Sequence, residues 1–340
     1  MRTNTILGIA IIVAIVVVGA AIVFQMGTPQ TEDRMKGAIL TGLPVTWDWG
    51  LMGLESFKEF DKIYDGVIDW DFTELIPFSE MSMATREKIT NGADIINSWG
   101  GEWVPPALEV APEFPDVNFI VFGVMGPVDF PPNVNYIDTN LYQGDYLEGL
   151  IAGSLTKTNK IGMIIGEEYP KVTRMYEAFK AGVREVNPNV EFSFTALGSW
   201  VDSSGARLAT VSMVDTGVDF IWLYADVAEL GAFRAATELG VMVTSSFKDK
   251  HGLFPDIMVT SNLCVPIQGH KLIIDTILDG TWEAGKEWDI GIHTGEQWLA
   301  PYYQFDEMIP ADIKNLVEER FQAIKDGTFA VPEIFERTEM

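Results

Sequence analysis

The chain has 340 residues, 47% of them hydrophobic, and a formal charge of −26 from 49 acids and 23 bases. That apolar share supports a sizeable core and excludes wholesale disorder, and the length suits two domains. The acid excess excludes nucleic acid as a partner, since phosphate contacts need a basic footprint, and excludes charge-driven docking on anionic lipid.

The first element is apolar throughout. Arg2 is soon followed by ILGIAIIVAIVVVGAAIVF, Ile6 to Phe24, without a charge. A helix of that length, at ~1.5 Å per residue, spans roughly the hydrocarbon layer of a bilayer. Arg2 fits the positive-inside tendency, which places the downstream chain outside the cell membrane. Val18-Gly19-Ala20 also matches a small-residue cleavage site, so a removed signal peptide is the second reading. The run is long for a signal core and favours the anchor. Residues 1–30 are thus a membrane anchor or signal segment, and QMGTPQTEDRM (25–35) reads as a polar tether.

From Lys36 on, short apolar runs alternate with amphipathic stretches. GAILTG (37–42) reads as a strand, followed by a helix near 50–62. VIDWDF (67–72), ADIINSW (93–99), VNFIVFG (117–123) and VNYIDT (134–139) read as further strands. Between and after them MSMATREKITNG, PPALEVAPEF and QGDYLEGLIAGSLT read as helices. The pattern restarts after residues 157–160. IGMIIG (161–166), VEFSFTAL (190–197), VDFIWLY (218–224), VMVTSS (241–246) and IMVTSN (257–262) are strand-like. The intervening helices cover 172–186, 203–217 (with a serine cap) and 228–240, and IQGHKLIIDTILDG (267–280) follows. YYQF (302–305) is a weak strand, and ADIKNLVEERFQAIKDG (311–327) is a periodic helix stopped by glycine. This alternation is the signature of parallel sheets covered by helices, here as two α/β units with a cleft between them.

Catalytic and cofactor signals are sparse. His251, His270 and His293 form no metal-binding spacing, and no metal or cofactor is expected. There is no P-loop and no GxSxG; GLIAG and GMIIG lack dinucleotide spacing. No nucleophile has a spaced base, so the chain does not read as an enzyme. Cys264 is the single cysteine and reads as a buried inert thiol.

In open α/β sheets ligands bind beyond the carboxyl ends of strands. Those ends hold Thr46, Trp47, Asp48 and Trp49, then Trp99 with Glu102 and Trp103, then Asn140 and Tyr142. In the second unit they hold Trp200, Tyr224 with Asp226, and Lys248 with Asp249. Any one tryptophan there is more simply packing against a helix, and a lone acid is often a cap. The whole set suits a flat, polar-edged molecule: rings clamp its faces while carboxylates and amides meet its edge or its sugar hydroxyls. The expected ligand site is Thr46, Trp47, Asp48, Trp49, Trp99, Asn140, Tyr142, Trp200, Tyr224, Asp226, Lys248 and Asp249.

The order of ADIINSWGGEW, PPALEVAPEFPDVNFIVFG, NVNYIDTNLYQGDYLEGLIAG, LGSWVDSSGARLATVSMVDTGVDFIW and AFRAATELGV resembles the basic membrane protein (BMP) family of ABC-transporter substrate-binding proteins, which includes purine-nucleoside-binding lipoproteins. The likeness runs over most of residues 36–332. It implies a two-lobe type I periplasmic-binding-protein fold, each lobe a parallel sheet flanked by helices, with three crossovers. Lobe 1 would take 36–156 with a returning segment at roughly 263–300; lobe 2 would take 157–262 with part of 300–332. The implied function is an extracytoplasmic domain at the cell membrane that captures a nucleoside-like solute for ABC permease subunits. A ligand-sensing domain for a signalling partner is the alternative. Aromatics from both lobes would sandwich the base, with Trp47 or Trp49 from the first. The TWDWGLMG loop departs from the D-x-SFN-like sequence of many nucleoside binders, and no lipobox is present. A membrane helix would replace the lipid anchor and keep the domain near its permease.

Overall fold

The computed structural model describes residues 34–123 and 128–339. The expected anchor or signal segment, residues 1–30, lies outside the described residues. Among those described, no helix is long and apolar enough to cross a membrane. From Lys36 onward the chain forms one unit.

The elements follow in chain order: β1 Met35–Thr41, α1 Asp48–Ile63, β2 Ile68–Thr73, α2 Met81–Thr90, β3 Ile95–Trp99, α3 Val104–Val110, β4 Asn118–Phe122, β5 Val134–Thr139 and α4 Leu141–Leu155. Then come β6 Lys160–Ile165, α5 Pro170–Val186, β7 Glu191–Ala196, α6 Ser203–Asp215, β8 Phe220–Tyr224, α7 Glu229–Leu239, β9 Met242–Phe247 and β10 Met258–Cys264. The last are α8 Ile267–Leu278, β11 Glu287–Ile290, β12 Gln297–Leu299 and α9 Ala311–Lys325.

Among the described residues the strands form two six-stranded sheets, ordered β11-β5-β4-β3-β1-β2 and β12-β10-β9-β8-β6-β7. The inner pairings, such as β1 with β3 and β8 with β9, are parallel, and only β12 is seen to run antiparallel to its neighbour. Their central strands are apolar on both faces because helices cover both. Ile120, Val121 and Phe122 are fully buried in the first sheet, and Ile221, Trp222 and Leu223 in the second.

The chain passes between the sheets at residues 139–141, 264–267 and 290–297. The first passage precedes α4, which packs on α5, β10 and β12 of the second lobe. The expected boundary at residue 156 therefore comes one helix too late. The returning segment contributes α8 and β11 to the first lobe, whereas β12, inside the expected 263–300 range, joins the second sheet. YYQF is not a strand: residues 303–305 form a 3-10 turn. The cap of α6 is Asp202, whose carboxylate accepts from Gly205 N–H at 2.9 Å, rather than a serine. Cys264 is buried.

α4 and α5 meet backbone to backbone. A Cβ at Gly149 would lie 2.2 Å from the Phe179 carbonyl oxygen, and one at Gly182 would lie 2.0 Å from that of Tyr146. The chain's last described stretch runs along α5. Glu333 pairs with Arg174 at 2.9 Å, the Thr338 hydroxyl donates to Glu177 at 2.6 Å, and Lys180 donates to the Glu339 carbonyl at 3.1 Å.

Candidate functional site

A cavity of about 600 Å³ lies between the lobes, lined on one side by Trp49, Phe78, Met81 and Glu102 and on the other by Glu167, Tyr169, Arg174, Trp200 and Tyr224. It sits beyond the carboxyl ends of β3, β4, β6 and β8, where helix-covered parallel sheets leave a crevice.

Two indoles reach it from opposite lobes, each lying on a glycine. Trp49 starts α1 and stacks on Phe122 with centroids 4.6 Å apart and planes 6° apart. A Cβ at Gly123 would be 2.6 Å from its ring, and φ is +90° there, so glycine is required twice over. Trp200 lies across Gly166, where a Cβ would be 2.2 Å from its ring, and meets Tyr224 edge-on at 5.7 Å.

The cavity carries charge of both signs. Arg174 pairs with Asp138 at 3.2 Å, and Lys171 donates to the same carboxylate. Burial pushes the Glu102 carboxyl up to about 7, and the Glu167 carboxylate adds to the rise. Glu167 accepts a hydrogen bond from the Tyr169 hydroxyl.

Beside the cavity the lobes are joined by a buried ionic cluster. Lys250 of the second lobe meets Asp48 of the first at 2.7 Å and Glu229 of its own lobe at 3.4 Å. It also donates to Ser245 Oγ at 2.8 Å and to the Ser246 carbonyl at 2.6 Å. Burial opposes its charge, but Asp48 and Glu229 outweigh burial and hold its pKa above the ordinary lysine value. Burial raises Asp48 despite Lys250. Burial together with Asp48 and Glu229 pushes Asp226 up to about 8. Asp226 accepts from the Trp49 backbone N–H at 3.3 Å, a second link between lobes. Its φ of 50° lies in the left-handed region, which asparagine and aspartate tolerate better than other side chains.

Residues 49–321 match the family described as ABC transporter substrate-binding protein PnrA-like, the Bmp family. The chain belongs to this family. A purine-binding protein of Brucella abortus is 26% identical to this Bmp protein, covering 88% of this chain and 84% of that protein. A Haloferax volcanii protein provisionally named an ABC transporter glucose-binding protein is 27% identical, covering 74% of this chain and 62% of its own length. Among solved structures, an ABC transporter solute-binding protein of Aeropyrum pernix superposes with a TM-score of 0.76 at 18% identity, over 88% of this chain and 94% of that one. The fold is thus of the type I periplasmic-binding-protein kind. The family consists of extracytoplasmic solute-binding proteins of ABC transporters, not of enzymes.

Of the twelve residues expected at the site, Trp49, Trp200, Tyr224 and Asp226 line the cavity of this Bmp protein. The others lie elsewhere. Trp47 packs on Phe233 at 6.4 Å, against the core of the second lobe. Asp48 is held by Lys250, and Thr46 is exposed. Trp99 is fully buried and stacks on His270 at 4.8 Å. Asn140 sits at the first passage, its N–H donating to the Ile290 carbonyl at 2.8 Å. Tyr142 lies under the Arg174 guanidinium, 4.3 Å from its ring centre. Lys248 pairs with Glu55, and Asp249 accepts from Tyr303.

The cavity also uses residues outside that expectation. Leu75 and Phe78, 59% and 67% exposed, form a rim after β2, an apolar run too open to belong to the core. Glu167, Tyr169, Lys171 and Arg174 come from the turn between β6 and α5 and from that helix's first turns. The GEEYPK sequence after a strand was their available signal. The carboxylates of Asp138, Glu287 and Asp289 lie within 4.8 Å of one another, but Lys171 and Arg174 already neutralise Asp138, so the group serves as an ion-pair network.

Proposed function

We propose that the cleft captures a flat aromatic, nucleoside-like solute and hands it to an ABC permease, with the N-terminal segment holding the domain at the membrane. The observation that carries this reading is the pair of indoles, Trp49 and Trp200, lining one cavity from opposite lobes. A planar ring between such faces gains about 1–3 kcal/mol per stack. The cavity volume of about 600 Å³ is in the range of small-molecule sites. The name of the purine-binding relative supports the aromatic class; that of the glucose-binding relative makes hexoses the main competitor. Binding would hold the lobes together by contacts on both, which favours the closed population.

The test is calorimetry on the full chain in mild detergent, with nucleosides, nucleobases and hexoses as titrants. A nucleoside or nucleobase should bind, and Trp200→Ala should weaken it by about tenfold or more while unfolding temperature shifts little. Binding of hexoses alone would reject the stacked-ring reading.

A further inference from the structure

We propose that the solute is an organic cation, a flat ring bearing a positive charge that Glu102 and Glu167 receive among the aromatic walls. This rests on the reading of the cleft as a site for a flat aromatic solute.

The cavity carries charged side chains of both signs. Its cations are already engaged: Lys171 by Asp138 and, at 3.8 Å, by Glu287; Arg174 by Asp138 at 3.2 Å and Glu333 at 2.9 Å. The nearby Lys250 is engaged by Asp48 and Glu229. Glu102 and Glu167 line the same cavity, and among the described residues neither forms an ion pair with a lysine, arginine or histidine. The VMGP sequence at 124–127 carries no charged side chain that could fill the role. Both carboxyls are built into the walls. A Cβ at Gly100 would lie 2.2 Å from either Glu102 oxygen, so the glycine is what lets that carboxyl lie there. Glu167 is oriented by the Tyr169 hydroxyl.

Two carboxyls from opposite lobes, close enough for Glu167 to raise Glu102, disfavour closure of the cleft unless something positive or protic lies between them. A neutral ring would leave Glu102 and Glu167 without a counter-charge against aromatic surface, which is unfavourable. A cationic ring meets both demands: the carboxylates balance its charge and the faces of Trp49, Trp200 and Tyr169 attract it through their quadrupoles. The other charged or titratable groups facing the cavity are Asp138, Asp226, Lys171, Arg174, Tyr169 and Tyr224. Asp226 keeps its proton up to about pH 8, so Asp138, Glu167 and Glu102 face Lys171 and Arg174, and the field favours a cation once Glu102 is ionised. Binding of a cation ionises Glu102, so complexation releases protons and tightens as pH rises through about 7.

Matched ligand pairs test this on the full chain in detergent: 1-methyladenosine, cationic at neutral pH, against its neutral isomer N6-methyladenosine, and 1-methylnicotinamide against nicotinamide. The cationic member of at least one pair should bind about tenfold tighter or more at pH 7.5. That preference should collapse in Glu102→Gln, whose folding is checked by circular dichroism, and titration in buffers of different ionisation enthalpy should show proton release. Neutral members binding as well as the cations, or a preference that survives Glu102→Gln with Glu167→Gln, overturns the cation assignment. In that case Trp200-dependent binding of the neutral rings leaves the aromatic-solute reading standing. If no member of either pair binds while a hexose does, both readings fall.

Discussion

Asp226 joins three roles in one side chain: it lines the cavity, accepts from the Trp49 backbone of the other lobe, and shares a buried pocket with Asp48 and Glu229. Its pKa is pushed from 3.8 to about 8. Between those values the folded chain keeps a proton that the unfolded chain has released. Stability linked to this group is therefore full below about pH 4 and is lost as pH rises through about 8. Glu229, pushed up to about 7, acts in the same sense. His270 has the opposite sign: burial lowers it to about 4, so it takes stability away as pH falls below about 6.5. Unfolding temperature should decline from pH 6.5 to pH 9, and Asp226→Asn should flatten that decline; an unchanged slope in the variant would assign the effect to other groups.

At the scale of elements, the contact of α4 with α5 depends on glycines, because each brings a backbone within van der Waals distance of its partner. Gly149→Ala should cost about 1–3 kcal/mol by overpacking, seen as a lower urea midpoint with an unchanged slope. The strand and helix alternation of both lobes was legible in the sequence because fully buried strands read as apolar runs and helices as periodic ones. GLIAG was visible as a small-residue pattern, but its partner was not, since Gly182 lies on the next helix. The lobe assignment of α4 was illegible for a similar reason: a helix's apolar face does not say which sheet it covers. Aromatics and acids at strand ends are legible in the sequence, and of those Trp49, Trp200, Tyr224 and Asp226 line the cavity. Position at a strand end does not separate them from Trp99 and Trp47, whose environments arise from His270 and Phe233, far along the chain. Glu167, in the turn after β6, and Arg174, near the start of α5, were illegible because charge-rich turns and helix starts resemble solvated surface.

For the molecule as a whole, the contacts that hold the lobes shut include Asp48 with Lys250, Asp226 with the Trp49 backbone, Asp138 with Lys171 and Arg174, Glu55 with Lys248, and Trp47 against the second core. Removing Lys250 alone leaves Asp48 and Glu229 buried without their cation. Lys250→Met should therefore cost about 3–5 kcal/mol, and adding Asp48→Asn should restore part of it. The same single variant should enlarge the radius of gyration of the unliganded protein in X-ray scattering. An unchanged radius would mean that other contacts keep the lobes closed. The strap of residues along α5 has a practical bearing. Arg174 is tied at once to the cavity through Asp138 and to the strap through Glu333, while Lys180 grips the strap near residue 339. A fluorophore, affinity handle or fusion partner attached at that end would pull on the arginine that lines the cavity. Immobilised sensors built from this domain should be tethered by their other terminus.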